Sequence, residues 1–224
     1  MQPFLHTMLT KLLAPLFTLA LSMALAPAVL AEDAPAITPT AHVELFNGKD
    51  FTGWKFAMKG DIDPMTVWSV DNGVIKCLGK PNGYMRTEQS YRDYKATVEW
   101  RFTKAGNTGV LVHMSLPDKV WPRCFECQGM HNRQGDFWLW GGADCNEPKI
   151  PGKNGIAMPE KSNENAVGEW NTYEVECRGN TIKIIVNGKL MNTATECNET
   201  AGMIGIQSEG GEIEVRKIYL DPLK

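Results

Sequence analysis

The chain has 224 residues, a formal net charge of −3, and 43% hydrophobic, 22% charged and 9% aromatic residues. This mixture is too apolar for a disordered chain and too varied for a fibrous one. A mild negative charge without long Lys/Arg runs excludes the basic face that a nucleic-acid binder needs. The length suits one domain able to bury a full core without metal or disulfide staples.

Residues 1–31 read as a secretory signal peptide. Lys11 is the only charge, Leu12 to Leu30 is an apolar run, and Val29-Leu30-Ala31 offers small residues for cleavage. Pro15, Pro27 and the small-residue exit favour cleavage over a retained anchor, and no later segment is long and apolar enough to span a bilayer. The chain is therefore expected to be exported, periplasmic or secreted. Residues 32–41, rich in Ala and Pro, read as a linker, and residues 42–224 as a single domain.

Within that domain the hydrophobic pattern has period two. In Tyr94–Phe102 the residues Ala96, Val98, Trp100 and Phe102 share one face, and Lys95, Thr97, Glu99 and Arg101 the other. Thr108–Met114 places Val110 and Val112 opposite Gly109, Leu111 and His113. Phe125 and Cys127 oppose Glu126 and Gln128 in the same way. From His131 to Glu169 the chain is rich in Gly, Pro and Asn, carries Phe137-Trp138-Leu139-Trp140, and reads as a long functional cover. Further on come Tyr173–Cys177, Thr181–Val186, an Asn187-Gly188 hairpin signal, Ile204–Gln207 and Ile213–Leu220. Many short strands with almost no helical period predict an all-β sandwich of two antiparallel sheets.

Six cysteines, Cys77, Cys124, Cys127, Cys145, Cys177 and Cys197, suggest disulfides in an exported chain. Their pairing is open among fifteen arrangements, with Cys177–Cys197, which flank one hairpin region, the best single choice. Cys124-Phe-Glu-Cys127 also has the spacing of a redox site or zinc half-site, but on a strand rather than a helix start.

The landmarks Glu44–Trp54 (ELFNGKDFTGW), Trp68–Ile75 (WSVDNGVI), Tyr91–Tyr94, Glu99–Arg101, Asn107–Val110, Glu126–Gln128, Gly168–Asn171, Val186–Gly188 and Gly202–Gln207 occur in this order. Together they resemble the 3-keto-disaccharide hydrolase domain family, also described as 3-keto-glucoside 1,2-lyase/hydratase, over roughly residues 43–223. The resemblance implies a concanavalin A-like jelly roll acting on sugars already oxidised at C3. This chain has His113 where the family usually has an Arg, and His131 where it usually has an Asp.

A ketone at C3 acidifies the C2 proton, so a base can remove it and the C1 substituent can leave, after which water adds back. Such chemistry needs a base, a group that stabilises the enolate oxygen and a proton donor for the leaving oxygen. If the strands are neighbours, Glu126, His113 and Arg101 supply the catalytic set. Glu99, Gln128, Asn107, His131, Trp138, Trp140 and Trp121 then bind substrate. The Trp side chains offer platforms for sugar rings, whereas Trp54, Trp68, Trp100 and Trp170 read as core. Glu99 with Arg101 is equally an ordinary charge ladder, and His113 an ordinary strand histidine. A divalent cation held by His113, Glu126 and His131, with Asp136 or Asp144, is a further option without tight motif spacing. The expected partner is a carbohydrate. A lectin-like binding module and a conventional paired-acid glycoside hydrolase remain the alternatives; the second is weakened because the strand of Glu126 carries no second acid.

Overall fold

The computed structural model describes residues 35–224. The signal-peptide segment lies outside the described residues. Among the described residues the elements are fifteen strands, numbered β1 to β15 in chain order, and one short 3-10 turn at Pro64–Thr66. No helix among them is long and apolar enough to cross a membrane.

The strands form two antiparallel sheets packed face to face. The first runs β13 (Lys189–Ala194), β12 (Thr181–Val186), β11 (Asn171–Arg178), β6 (Tyr94–Phe102), β15 (Ile213–Pro222), β4 (Val74–Cys77), β3 (Trp68–Asp71), with β1 (Val43–Glu44) also on β15. The second runs β10 (Gly155–Ile156), β9 (Phe137–Trp140), β8 (Cys124–Gln128), β7 (Gly109–Met114), β14 (Met203–Ser208), β5 (Gly83–Thr87), β2 (Trp54–Met58). This is the predicted jelly-roll sandwich. Alternation explains it: Ala96, Val98, Trp100 and Phe102 from β6 meet Val110, Val112, Phe125, Cys127 and Phe137 from the second sheet in one core. The Asn187-Gly188 turn joins β12 to β13, and both residues take positive φ, the conformation a two-residue hairpin turn requires.

Three expectations are corrected. The stretch from His131 to Glu169, read as a long cover, is in part sheet, because Phe137–Trp140 forms β9 and pairs with β8. Phe137 and Leu139 point into the core, which pulls this stretch onto the sheet. Trp170 is not a core residue. It lies between the guanidinium groups of Arg101 and Arg216, 4.6 and 4.4 Å from its ring centre, on the outer side of the first sheet. Finally, all six cysteines are free thiols, so the expected Cys177–Cys197 bridge is not formed. Cys177 pairs with Ile182, and Ile182 with Ala194, so strand β12 separates Cys177 from the segment leading to Cys197.

Candidate functional site

The outer face of the second sheet carries the polar chemistry. On β8, Phe125 and Cys127 point into the core, leaving Cys124, Glu126 and Gln128 on the opposite side. The register sets Trp138 of β9 beside Glu126 and Trp140 beside Cys124. On the other flank, Leu111 of β7 faces Glu126, and Gly109 leaves room for it: a Cβ there would lie 3.0 Å from the Glu126 Cγ and Oε1. Gly205 and Gln207 of β14, then Arg86 and Tyr84 of β5, continue the same two rows.

Glu126 is 1% exposed. Trp140 Nε1–H donates to its Oε2 at 2.6 Å, while Oε1 has no hydrogen-bond partner. Burial disfavours the charged form, the Trp140 bond opposes it, and Glu209 adds like-charge repulsion, so the carboxyl is pushed up to about 8. The Gln207 amide stands close enough to favour the carboxylate, yet neither of its ends completes a well-formed hydrogen bond. Glu209 is itself raised, mainly by burial, and accepts from Asn107 Nδ2 at 2.7 Å. The site therefore holds a proton-bearing carboxyl next to a second carboxyl of lesser burial. Such a pair can divide acid and base roles.

Three indoles form a row beside Glu126. Trp121 stacks on Trp140 with centroids 5.1 Å apart, and Trp138 stacks on Trp140 at 6.4 Å. Gln128 Oε1 accepts from Met130 N–H. Gln128 and Trp138 line a cleft of about 210 Å³ with Met130, Ile150 and Lys153. On the far side of Glu126, Arg86 grips Asp118 through two 2.7 Å bonds, and Tyr84 O–H donates to the same carboxylate. A larger cleft of about 570 Å³ lies elsewhere, beside Lys95, Glu176 and Arg178 on the first sheet. It carries none of these features.

The predicted residues thus separate. The structure brings together Glu126, Gln128, Asn107, Trp121, Trp138 and Trp140. Arg101 and Glu99 lie elsewhere: β6 pairs with β11 and β15, not with β7, so both face outward from the first sheet. Arg101 Nε binds Glu214 at 2.8 Å, and Glu99 takes Arg216 and Lys217. His113 also leaves the face. Met203 pairs with Met114 and Gly205 with Leu111, so β7 carries one residue more than β14 there. His113 takes φ +53 at this bulge, and its ring turns inward against Tyr94 and Phe125. It is fully buried, its Nδ1 bonds the Glu199 carbonyl at 2.9 Å, and burial lowers it to about 4, so it is neutral at pH 7. His131 pairs with Glu164 at 2.6 Å in the loop after β8.

The cation grouping is not met either. His113 faces the core, Asp136 holds Arg133, and Asp144 holds Lys149. Among the described residues no group of three or more His, Cys, Asp and Glu could hold a metal ion. Cys124 and Cys127 project to opposite faces of β8, which removes both the redox and the zinc reading. Sequence reasoning missed Gln207, Glu209, Tyr84, Arg86 and Asp118. The alternation in Ile204-Gly-Ile-Gln207 signals Gln207; nothing local signals the others.

A jelly-roll sandwich with acids, amides and stacked indoles on one sheet face has the plan of a carbohydrate-active domain. Residues 41–221 match the 3-keto-alpha-glucoside-1,2-lyase-like domain family, and the chain belongs to that family. No curated protein matches the chain in sequence. Among solved structures, a candidate glycosyl hydrolase from Parabacteroides distasonis is similar at TM-score 0.61 and 22% identity, over 82% of this chain and 94% of that one. A Bacillus licheniformis beta-glucanase (TM-score 0.54, 15% identity, 82% and 97% covered) shares the fold. So does the Bacillus subtilis carbohydrate-binding module CBM66 (TM-score 0.54, 11% identity, 75% and 95% covered).

Proposed function

We propose that this protein cleaves 3-keto-glycosides by elimination and hydration, with Glu126 and Glu209 as the proton-transfer pair. The observation that carries this reading is the Glu126 carboxyl: buried, with one oxygen free of partners, pushed up to about 8, and close enough to Glu209 for their charges to repel. At neutral pH Glu126 carries the proton and Glu209, the less buried acid, is the base. Glu209 takes the C2 proton, and the electrons of that bond form the enolate. The enolate expels the C1 oxygen, which takes its proton from Glu126. Water then adds across the resulting C1–C2 double bond, for net hydrolysis. The amides of Gln207, Gln128 and Asn107 supply polar groups for hydroxyls and the developing negative oxygen, and the indole row seats the sugar ring.

A second reading, a sugar-binding sandwich without turnover, is favoured by one observation: Glu126 is almost fully covered. Incubation with a 3-keto-glucoside, with and without EDTA, separates the two. Consumption of the keto sugar supports the enzyme. Binding without consumption in either condition supports the module.

We further propose export, on the strength of the Lys11 start, the apolar run and the Ala31 exit. Amino-terminal sequencing of the protein from its host's exported fraction should begin at Glu32.

A further inference from the structure

We infer that Cys145 and Cys197 are poised to form a disulfide that clamps the β9–β10 connection to the chain leaving β13. The two segments run antiparallel. Asn146 N–H donates to the Thr195 carbonyl at 2.9 Å, and Asn198 N–H donates to the Asp144 carbonyl at 3.0 Å. Cys145 and Cys197 sit between these two bonds, in the position where opposed Cα atoms approach to about 4.5 Å. Disulfides need Cα atoms within roughly 4.4–6.8 Å. Glu196, at φ +50, absorbs the one extra residue on its side.

Side chains hold the same register. Asp144 N–H donates to Asn198 Oδ1 at 2.8 Å, Asn198 Nδ2 donates to the Gly142 carbonyl at 3.0 Å, and Thr195 Oγ1 donates to Glu147 at 2.6 Å. Both thiols lie on the core side: Cys197 is part of the main core and Cys145 packs against it. Among the described residues no other cysteine pair occupies facing positions. Cys77 faces Trp68 and Ile213, Cys177 faces Tyr94 and Ile182, and Cys127 faces Val110 and Phe137.

The oxidant is a small disulfide such as oxidised glutathione. The half-exposed Cys145, as thiolate, attacks one glutathione sulfur. That S–S bond breaks, a mixed disulfide forms and one glutathione thiolate leaves. Cys197 thiolate then attacks the Cys145 sulfur and expels the second glutathione. The protein thiols lose two electrons and two protons, and glutathione gains both. The thiols are pushed up by burial, Cys145 to about 11, so bridging speeds up as pH rises toward 9.

The test treats the purified chain with oxidised glutathione at pH 8.5, then alkylates it in denaturant and maps peptides. The expected result is a drop in mass of about 2 Da before alkylation, two alkyl groups fewer after it, and a linked Cys145–Cys197 peptide. C177S should bridge as well as the parent, whereas C145S should keep every remaining thiol free and C197S should stop at a Cys145–glutathione mixed disulfide with no linked peptide. Six free thiols after oxidation, a different linked pair, or loss of the bridge in C177S overturns the inference.

Discussion

Trp140 donates its indole N–H to Glu126 at 2.6 Å, and this bond ties the aromatic row to the buried acid. The donor favours the charged carboxylate, so it restrains the rise that burial imposes. Trp140→Phe keeps the ring and removes the donor. The alkaline limb of the pH–rate profile, set by loss of the Glu126 proton, should therefore shift to higher pH in this variant, while sugar affinity changes less than about threefold. An unshifted profile would separate Trp140 from the acid.

Glu126→Gln removes the transferable proton while keeping the shape. Turnover of a 3-keto-glucoside should fall at least about 100-fold, with binding by calorimetry retained. Equal loss of binding would make Glu126 a recognition group instead.

Stability should depend on pH in a way that names its groups. Glu126 is raised in the folded state, so the folded chain binds more protons than the unfolded one between 4.5 and about 8, and its contribution is lost as pH rises through that window. His113 is lowered to about 4, so its contribution is present above 6.5 and lost as pH falls toward 4. The two oppose each other between 4.5 and 6.5; above that window Glu126 acts in the same direction as the exposed His42, which its bonds to Glu44 and Asp221 raise. Urea midpoints should decline from pH 6.5 to 8 in the parent and decline less steeply in Glu126→Gln.

Arg101→Ala checks the separation of the two sheets. It breaks a half-exposed pair with Glu214 and one contact with Trp170, at a cost of roughly 1 kcal/mol or less. Turnover should be unchanged, and a large kinetic defect would reconnect β6 to the site.

Trp138→Ala removes the end of the indole row that lines the cleft. Affinity for the sugar should weaken about tenfold, read by calorimetry, with the fold's melting point nearly unchanged because the ring is partly exposed.

Much of the fold was legible. The strands around Val98, Val110, Phe125 and Val175 announce themselves because each buries one face, and period two survives in the sequence. The face of Glu126 was legible for the same reason, together with the indoles once Phe137 and Leu139 are seen as core residues. What was not legible is which strands are neighbours. Glu99 and Arg101 have the right alternation but belong to the other sheet, a consequence of β6 pairing with β11 and β15. Glu209 and Asp118 reach the site from strand ends and loops, where no period marks them. His113 failed for a local reason: a single inserted residue reverses the alternation, and only the backbone reveals it.

That inserted residue sets the parity of strand β7. Before it, odd-numbered positions look outward; after it, even-numbered Met114 does. Removing His113 would restore an uninterrupted two-step rhythm with Met114 still outward, and would empty the space the imidazole now fills. A lineage in which this strand is one residue shorter would therefore have to refill the core beneath Tyr94 and Phe125 while leaving the surface above Gly205 as it is.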